Sequence, residues 1–170
     1  MDSLDIIKLA RSLIDIDSTS GRETDACKWL GSWLRDRNYQ VVEQPVSNDR
    51  FNIIATLDPS PDVVFSTHID CVPPFFPSHE EDGLLFGRGA CDAKGILAAQ
   101  LAALEQLRSE GEHRVALLVV VGEERGSQGA RAANTRPLGS QYLINGEPTD
   151  NKLGSATRGV YRTRLVARGR

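Results

Sequence analysis

The sequence predicts a three-layer α/β sandwich, in which a mixed, largely parallel central sheet is flanked by helices. Two observations support this prediction. Segments with helical spacing of apolar residues alternate with short runs of β-branched and aliphatic residues, as in sheets whose strands are joined by helices. In addition, residues 115–121 are all apolar, which is typical of a central strand that is buried on both faces.

Four segments have the apolar spacing of amphipathic helices: residues 3–16, 26–38, 94–107 and 126–134. Asp2 or Ser3 is the expected cap of the first helix, because short polar side chains accept hydrogen bonds from the free amides at a helix start. Seven short runs are predicted to be strands, namely residues 40–46, 51–57, 63–67, 84–86, 115–121, 142–144 and the alternating segment 160–166.

The charge and composition exclude two classes of partner. Lys and Arg number 20 against 23 Asp and Glu, the net charge is −3, and only 6% of the residues are aromatic. Because the chain has no basic cluster, neither nucleic acid nor a membrane surface is expected to bind it.

The start of the chain is acidic where a signal peptide is basic, and no apolar run approaches the roughly 18 residues of a membrane span. We therefore expect a cytoplasmic protein.

The three cysteines are widely spaced and form no Cys-x-x-Cys pair. This pattern suits a reducing compartment better than a disulfide framework. Alternation along an extended chain turns Cys71 away from His68 and Asp70, and the spacing of Cys71 and Cys91 does not resemble that of a zinc site. We interpret both cysteines as buried small apolar residues.

A histidine and an aspartate follow the predicted strand at residues 63–67. His68 and Asp70 are two positions apart, so their side chains lie on the same side of an extended chain. His68 can then bind a metal ion through one ring nitrogen, while Asp70 accepts the N–H of the other nitrogen or orients the ring. For this pair alone, a histidine at a strand end and an aspartate in a turn is the simpler interpretation. His79 is expected on the surface, and His113 at the far end of a strand.

Four acidic residues lie next to the end of a predicted strand or the start of a predicted helix: Asp92, Glu123, Glu124 and Glu147. Because the carboxyl ends of the strands are where α/β proteins bind ligands, these carboxylates are expected at one edge of the sheet. One imidazole and several carboxylates are the ligand types of hydrolytic zinc sites. Taken singly, Asp92 can instead cap a helix, the Glu pair can form an exposed acidic turn, and Glu147 can be a turn residue.

Four segments carry these residues, and their order and sequence are specific. They are STHIDCVP at residues 66–73, GRGACDAKG at residues 87–95, GEE at residues 122–124 and NGEPT at residues 145–149. Together they resemble the catalytic domain of the M20 metallopeptidases, in particular the branch of acetylornithine deacetylase and succinyl-diaminopimelate desuccinylase. The fold of that family is a zinc-peptidase type of three-layer sandwich.

The resemblance implies a role for each residue. The ligands of one zinc ion are His68, Asp92 and Glu147, and those of a second are Asp92 and Glu124. Asp70 supports His68, and Glu123 is the general base for a water that bridges the two ions. The implied reaction is hydrolysis of the amide bond of an N-acyl amino acid, a small-molecule substrate. Zinc is the implied cofactor, cobalt is an alternative metal, and the full-length enzyme is expected to be a homodimer.

The resemblance also implies how the chain is divided. Residues 1–158 correspond to an incomplete catalytic domain, and residues 159–170 to the start of a lid and dimerisation domain. The remaining metal ligand of the family is a histidine near the C-terminus of a longer chain, and no histidine follows His113 here. Two alternatives stay open: a weakly active or inactive metal-binding or regulatory fragment, and a di-zinc aminopeptidase or dipeptidase.

Overall fold

The computed structural model describes residues 4–154, 156 and 163–169. Its helices are α1 (Ile6–Ile14), α2 (Thr24–Arg35), α3 (Gly95–Ser109) and α4 (Gln128–Asn134). Its strands are β1 (Gln40–Ser47), β2 (Arg50–Thr56), β3 (Val63–His68), β4 (His79–Glu81), β5 (Leu84–Phe86), β6 (Val115–Val120) and β7 (Tyr142–Asn145). Every helix and strand expected before residue 150 is present, with small shifts of its ends, and β4 is additional.

Within the described residues, five strands form one sheet in the order β1-β2-β6-β3-β7. Strand β3 pairs in parallel with both β6 and β7, whereas β1 with β2 and β2 with β6 pair antiparallel. The predicted α/β class with a mixed sheet is confirmed. Strand β6 lies at the centre, as its uniformly apolar sequence predicted.

Helices cover both faces of this sheet. Adjacent residues of a strand point to opposite faces, and β2 shows which helix lies on each face. Ile53 packs against α2 at Gly31, whereas the Asn52 side chain donates a hydrogen bond over 2.9 Å to the carbonyl of Gly129 in α4. The main hydrophobic core lies on the side of Ile53, between the sheet and helices α1, α2 and α3. The three predicted layers are therefore present.

The first helix starts later than predicted. It begins at Ile6, behind Asp5, whose carboxylate accepts a hydrogen bond from the amide of Lys8 over 3.0 Å. Asp5 is therefore the cap, and the predicted caps Asp2 and Ser3 lie outside the described residues. All three are capping residue types, so the apolar spacing alone did not distinguish between them. Among the described residues, the helices are too short or too polar to cross a membrane.

The strand predicted near the end of the chain, from residue 160 to 166, falls partly outside the described residues. Residues 163–169 are exposed and have no regular secondary structure, so this part of the predicted strand is absent. The proposed domain boundary at residue 159 also lies outside the described residues and stays a prediction.

Strands β4 and β5 form a small antiparallel hairpin. The proline-rich stretch before His79 hides β4 in the sequence, because prolines are rare inside strands. The ring of His79 is exposed and stacks on Phe86, with the two ring centroids 5.1 Å apart. The expected surface position of His79 is thus confirmed. His113 is exposed, and it precedes β6 and so lies at the opposite end of this strand from Glu123.

The three thiols differ in exposure. Cys27 and Cys71 are buried as small apolar residues, but Cys91 is exposed, so the prediction that Cys91 is buried is wrong. Cys91 lies, together with Asp92, in the exposed part of the turn between β5 and α3. Burial raises the pKa of the Cys27 thiol to about 12 and also raises the pKa of Cys71.

We expect the thiol reagent DTNB to modify Cys91 in the native protein and to leave Cys27 and Cys71 unmodified. The thiolate is the reactive form, and burial keeps the other two thiols protonated and covered. Counting modified thiols before and after unfolding in guanidinium tests this expectation. The variant Cys91→Ser should not react until it unfolds, and rapid reaction of the native variant would contradict the assignment.

Candidate metal centre

The carboxyl ends of β3, β6 and β7 lie at the same edge of the sheet, because β3 is parallel to both of its neighbours. His68 is the last residue of β3, Glu123 and Glu124 follow β6, and Glu147 follows β7. Ligands of α/β proteins bind at this edge, because the loops after the strands converge there. The structure therefore brings these candidate residues to one edge.

His68 is almost fully buried, and both nitrogens of its ring have polar partners. Nδ1 lies 2.8 Å from the backbone carbonyl oxygen of Asp70. A carbonyl oxygen only accepts hydrogen bonds, so Nδ1 carries a proton and Nε2 is the nitrogen left to bind a metal ion. Nε2 lies 2.8 Å from Asp92 Oδ1 and 3.7 Å from Glu147 Oε2.

The neighbouring carboxylates favour positive charge on His68. Burial by itself would lower the pKa of His68, but Asp70 and Glu147 outweigh burial and raise this pKa from 6.5 to about 9. The same negative surroundings attract a divalent cation, which competes with a proton for Nε2. Metal binding here requires that Nε2 lose its proton, so it weakens as the pH falls.

Asp92 lies in a tight turn, Ala90–Lys94, between β5 and α3. Its backbone is not helical (φ −127°, ψ 96°), and α3 begins at Gly95 with no side-chain cap from the described residues. The alternative that Asp92 caps this helix is therefore excluded, and its half-exposed carboxylate instead contacts His68. Gly95 lets the turn close, because a Cβ there would clash with the carbonyl oxygen of Ala90.

Three potential ligand atoms converge at this edge. They are Nε2 of His68 and one carboxylate oxygen each of Asp92 and Glu147, and all lie within 4.8 Å of one another. In a tetrahedral zinc site, ligand atoms lie about 3.4 Å apart. The separations of 2.8 Å and 3.7 Å from Nε2 bracket this value, so small side-chain movements would fit an ion. An imidazole and two carboxylates are also suitable donor types for zinc.

The Asp70 carboxylate has partners other than the predicted one. Its Oδ1 lies 3.6 Å from His68 Nδ1, beyond hydrogen-bond distance, and the backbone carbonyl of Asp70 accepts the ring N–H instead. The buried carboxylate accepts the amides of Glu123 and Glu124, over 2.9 Å and 3.2 Å, and the hydroxyl of Ser20 over 2.9 Å. Burial would raise the pKa of Asp70, but His68, the Glu123 amide and the Ser20 hydroxyl outweigh burial and lower this pKa.

The two glutamates after β6 differ in their surroundings. Glu123 lines a cavity of about 230 Å³ that His68 and Glu147 also line. Among the described residues, Glu124 is not part of the three-ligand group. Burial raises the pKa of Glu124, and repulsion from Asp92 raises it further. Glu123 therefore faces the open space beside the ligand group, and Glu124 lies within electrostatic reach of Asp92.

Residues 64–161 match the profile of a family described as Peptidase family M20/M25/M40. The matched segment includes more than half of the chain and all the candidate ligands. The chain belongs to this family. The M20 resemblance inferred from the four segments is thus confirmed at the level of the family.

Two curated relatives illustrate the similarity to other M20 proteins. A peptidase M20 domain-containing protein of Schizosaccharomyces pombe is 39% identical over 97% of this chain and 44% of its own length. A probable carboxypeptidase of Aspergillus clavatus is 36% identical over 97% of this chain and 41% of its own length. The chain thus spans less than half the length of these curated relatives. Neither is named a deacetylase or a desuccinylase, so the predicted branch of the family gains no support from them.

The fold is similar to that of a solved M20 protein. A metallo-carboxypeptidase of the M20 family from Sulfolobus solfataricus superposes with a TM-score of 0.71 and 20% identity, covering 85% of this chain and 37% of that protein. At this identity the similarity shows the fold alone. It confirms the α/β sandwich that the sequence predicted.

The sequence analysis gave no role to two polar residues near the candidate metal centre. The fully buried ammonium of Lys94 donates a hydrogen bond over 2.7 Å to the carbonyl of Ile16, which anchors the turn of Asp92. Burial lowers the pKa of Lys94. Ser20, which lies between the first two predicted helices, contacts Asp70. Residue type gave no signal for either, because lysine and serine are mostly exposed in proteins.

Proposed function

We propose that the full-length protein is a metal-dependent M20 hydrolase that cleaves an amide bond. The observation that supports this best is the cavity that His68, Glu147 and Glu123 line together. A hydrolytic metal site needs a cation that activates water and a base beside it. In this proposal His68, Asp92 and Glu147 hold the cation, and Glu123 is the base.

A second metal ion is part of this proposal, with Asp92 and Glu124 as its ligands and Asp92 as the bridge. Support comes from the pKa of Glu124, which burial and the charge of Asp92 raise. A cation between these carboxylates would relieve their repulsion. Zinc is the metal that we propose from the donor types, and cobalt is the alternative.

The side chains of the site divide the chemistry between them. When bound, the metal ions would polarise the amide carbonyl and lower the pKa of water from 15.7 to about 7. Glu123 accepts the proton of the attacking water and returns it to the departing amine. His68 keeps Nε2 directed at the ligand group, because its Nδ1–H is held by the carbonyl of Asp70. The Asp70 carboxylate holds the amides of Glu123 and Glu124.

The substrate class that we propose is a compound whose amide bond lies next to a free carboxylate. The four sequence segments favour an N-acyl amino acid, as for acetylornithine deacetylase. One relative is named a probable carboxypeptidase. Both kinds of enzyme cleave the bond between an acyl group and a C-terminal amino acid, so a single substrate series tests them together.

The test is hydrolysis by the zinc-loaded, full-length protein of N-acetylornithine, an N-acetylated neutral amino acid, a dipeptide and a C-amidated dipeptide. Release of an amino acid from the acetylated substrates, with no action on the amidated one, supports the proposal. Cleavage of the amidated dipeptide, with no action on the acetylated substrates, indicates an aminopeptidase instead. Failure to cleave any of them, with metal bound, favours a regulatory or metal-binding role.

The 170-residue chain should retain at most one tightly bound zinc ion per molecule. His68, Asp92 and Glu147 offer three ligands to one ion, whereas Asp92 and Glu124 offer two to the other. Stable zinc sites use three or four protein ligands. Elemental analysis of the zinc-loaded chain after dialysis measures the ratio. Two ions retained per chain would contradict this expectation and reveal a further ligand.

Other properties of the whole protein stay predictions. They are an incomplete catalytic domain at residues 1–158, the start of a lid domain at residues 159–170, a homodimer and a cytoplasmic location. A small-molecule substrate, without nucleic acid or membrane as a partner, is part of the same proposal. A weakly active or inactive fragment stays the alternative for the 170-residue chain.

A further inference from the structure

The loop between α1 and α2 is connected, through the carboxylate of Asp70, to the turn that carries Glu123 and Glu124. The hydroxyl of Ser20, in this loop, donates a hydrogen bond to Asp70 Oδ2 over 2.9 Å. Asp70 also accepts the amide of Glu123 at Oδ1 and the amide of Glu124 at Oδ2. One buried carboxylate therefore connects Ser20 to both residues of the glutamate pair.

The backbone of this loop is fixed independently of the Ser20 hydroxyl. The amide of Ser20 donates to the carbonyl of Cys71 over 3.0 Å, and the amide of Cys71 donates to the carbonyl of Ser18 over 3.1 Å. The Ser18 hydroxyl donates to the carbonyl of Ile69 over 2.6 Å. Removing the hydroxyl of Ser20 should thus leave the loop in place.

The same loop is also connected, through Arg50, to the start of the turn that carries Glu123 and Glu124. Glu23 is fully buried and accepts two hydrogen bonds from Arg50, over 2.9 Å at Nε and 2.6 Å at Nη2. Arg50 lies close to Gly122, since a Cβ on Gly122 would approach Nη2 to 2.6 Å. Arg50 therefore lies beside the turn at Gly122, whereas Asp70 holds the turn at Glu123 and Glu124.

We propose that Ser20 is a positioning residue for the hydrolytic reaction and acts through Asp70. Rotation of an aspartate carboxylate about its last torsion is soft, so its oxygens stay in place only while their partners hold them. Without the hydroxyl, Oδ2 keeps the longer bond, of 3.2 Å, to the amide of Glu124. The amides of Glu123 and Glu124 then gain freedom to move, together with the side chains that they carry. This inference rests on the proposed function, in which Glu123 is the base and Glu124 a ligand.

The first test reads the position of the turn without metal or substrate. In the variant Ser20→Ala, the ¹H–¹⁵N signals of Glu123 and Glu124 should shift, and their amides should exchange faster with solvent. The matched control is Tyr39→Phe, which removes a part-buried hydroxyl that donates over 2.8 Å to the carboxylate of Glu105, outside the metal site. The control should leave the signals and the exchange rates of the backbone amides of Glu123 and Glu124 unchanged. Unchanged amides in Ser20→Ala, or equal changes in the control, would overturn the proposal.

The second test uses the kinetics of the full-length protein. Because a displacement of about 1 Å can cost up to about 100-fold in rate, Ser20→Ala should lower kcat by about 10- to 100-fold. KM should change by less than about twofold, because the lost interaction orients the base rather than binding substrate. Ser20→Thr keeps a hydroxyl and should recover most of the loss. A threonine variant as slow as the alanine variant would overturn the proposal, as would an unchanged kcat in Ser20→Ala.

The two tests separate this inference from the proposed function. If the wild-type protein hydrolyses none of the substrates, the proposed function fails. The amide signals then still decide whether Ser20 positions the turn through Asp70. If the wild type is active and the amides do not respond to Ser20→Ala, the positioning role fails alone.

Discussion

Replacing Glu123 by Gln should lower the kcat of the full-length protein by about two orders of magnitude or more, because general acid–base help is worth about 10²–10⁴-fold. An amide cannot accept the proton of the attacking water. The metal content should stay that of the wild type, since among the described residues Glu123 is not part of the ligand group. Measuring kcat and metal content on the same preparation checks both expectations.

The design of this experiment separates a base from a ligand. Glutamine keeps the shape of the side chain, and the backbone amide of residue 123 keeps its hydrogen bond to Asp70. The matched control is Glu110→Gln at the exposed end of α3, which should change neither rate nor metal content. If Glu123→Gln lost its metal but hydrolysed normally once metal was resupplied, Glu123 would be a ligand and not the base.

The edge of the sheet that carries the site could be predicted from the sequence. His68, Glu123 and Glu147 each follow a short apolar run, and three such runs form the adjacent parallel strands β3, β6 and β7. Whether a residue follows a strand can be predicted from the local sequence. When strands pair in parallel, the residues that follow them lie at the same edge of the sheet. Neither step requires knowledge of which side chains touch.

The pairing of buried polar groups could not be predicted in this way. The sequence placed His68 and Asp70 on one side of a strand, and a contact between the Asp70 carboxylate and the non-ligating ring nitrogen of His68 was expected from that placement. In the structure the backbone carbonyl of Asp70 accepts this N–H, and the carboxylate binds the amides of Glu123 and Glu124, far along the chain. Tertiary packing decides which groups become partners. The alternation of side chains along one strand gives no information about that packing.

Asp92 shows a second limit of the sequence. An aspartate just before a helix suits both a cap and a metal ligand, so residue type and position favour neither role. Only the backbone angles of the turn Ala90–Lys94 distinguish them, and these turn the carboxylate towards His68. The same turn exposes Cys91, which the sequence suggested was buried.

Replacing His68 by Ala should weaken zinc binding to the chain by at least about 100-fold. Replacing even a residue that only hydrogen-bonds a metal ligand lowers the metal affinity by about 10–100-fold. His68 supplies the nitrogen of the three-ligand group, and Asp92 and Glu147 are then left as carboxylates that water also solvates. Titration calorimetry of the wild type and the variant at neutral pH measures the change in affinity.

Thermal unfolding gives an independent measure of the same loss. A ligand that binds only the folded state stabilises it by about 2.7 kcal/mol when its concentration is 100 times Kd. Zinc should therefore raise the Tm of the wild type much more than that of His68→Ala. The controls His79→Ala and His113→Ala remove exposed imidazoles and should keep the zinc-dependent rise. If His68→Ala kept the full rise, the metal would bind elsewhere, and the ligand set of His68, Asp92 and Glu147 would be wrong.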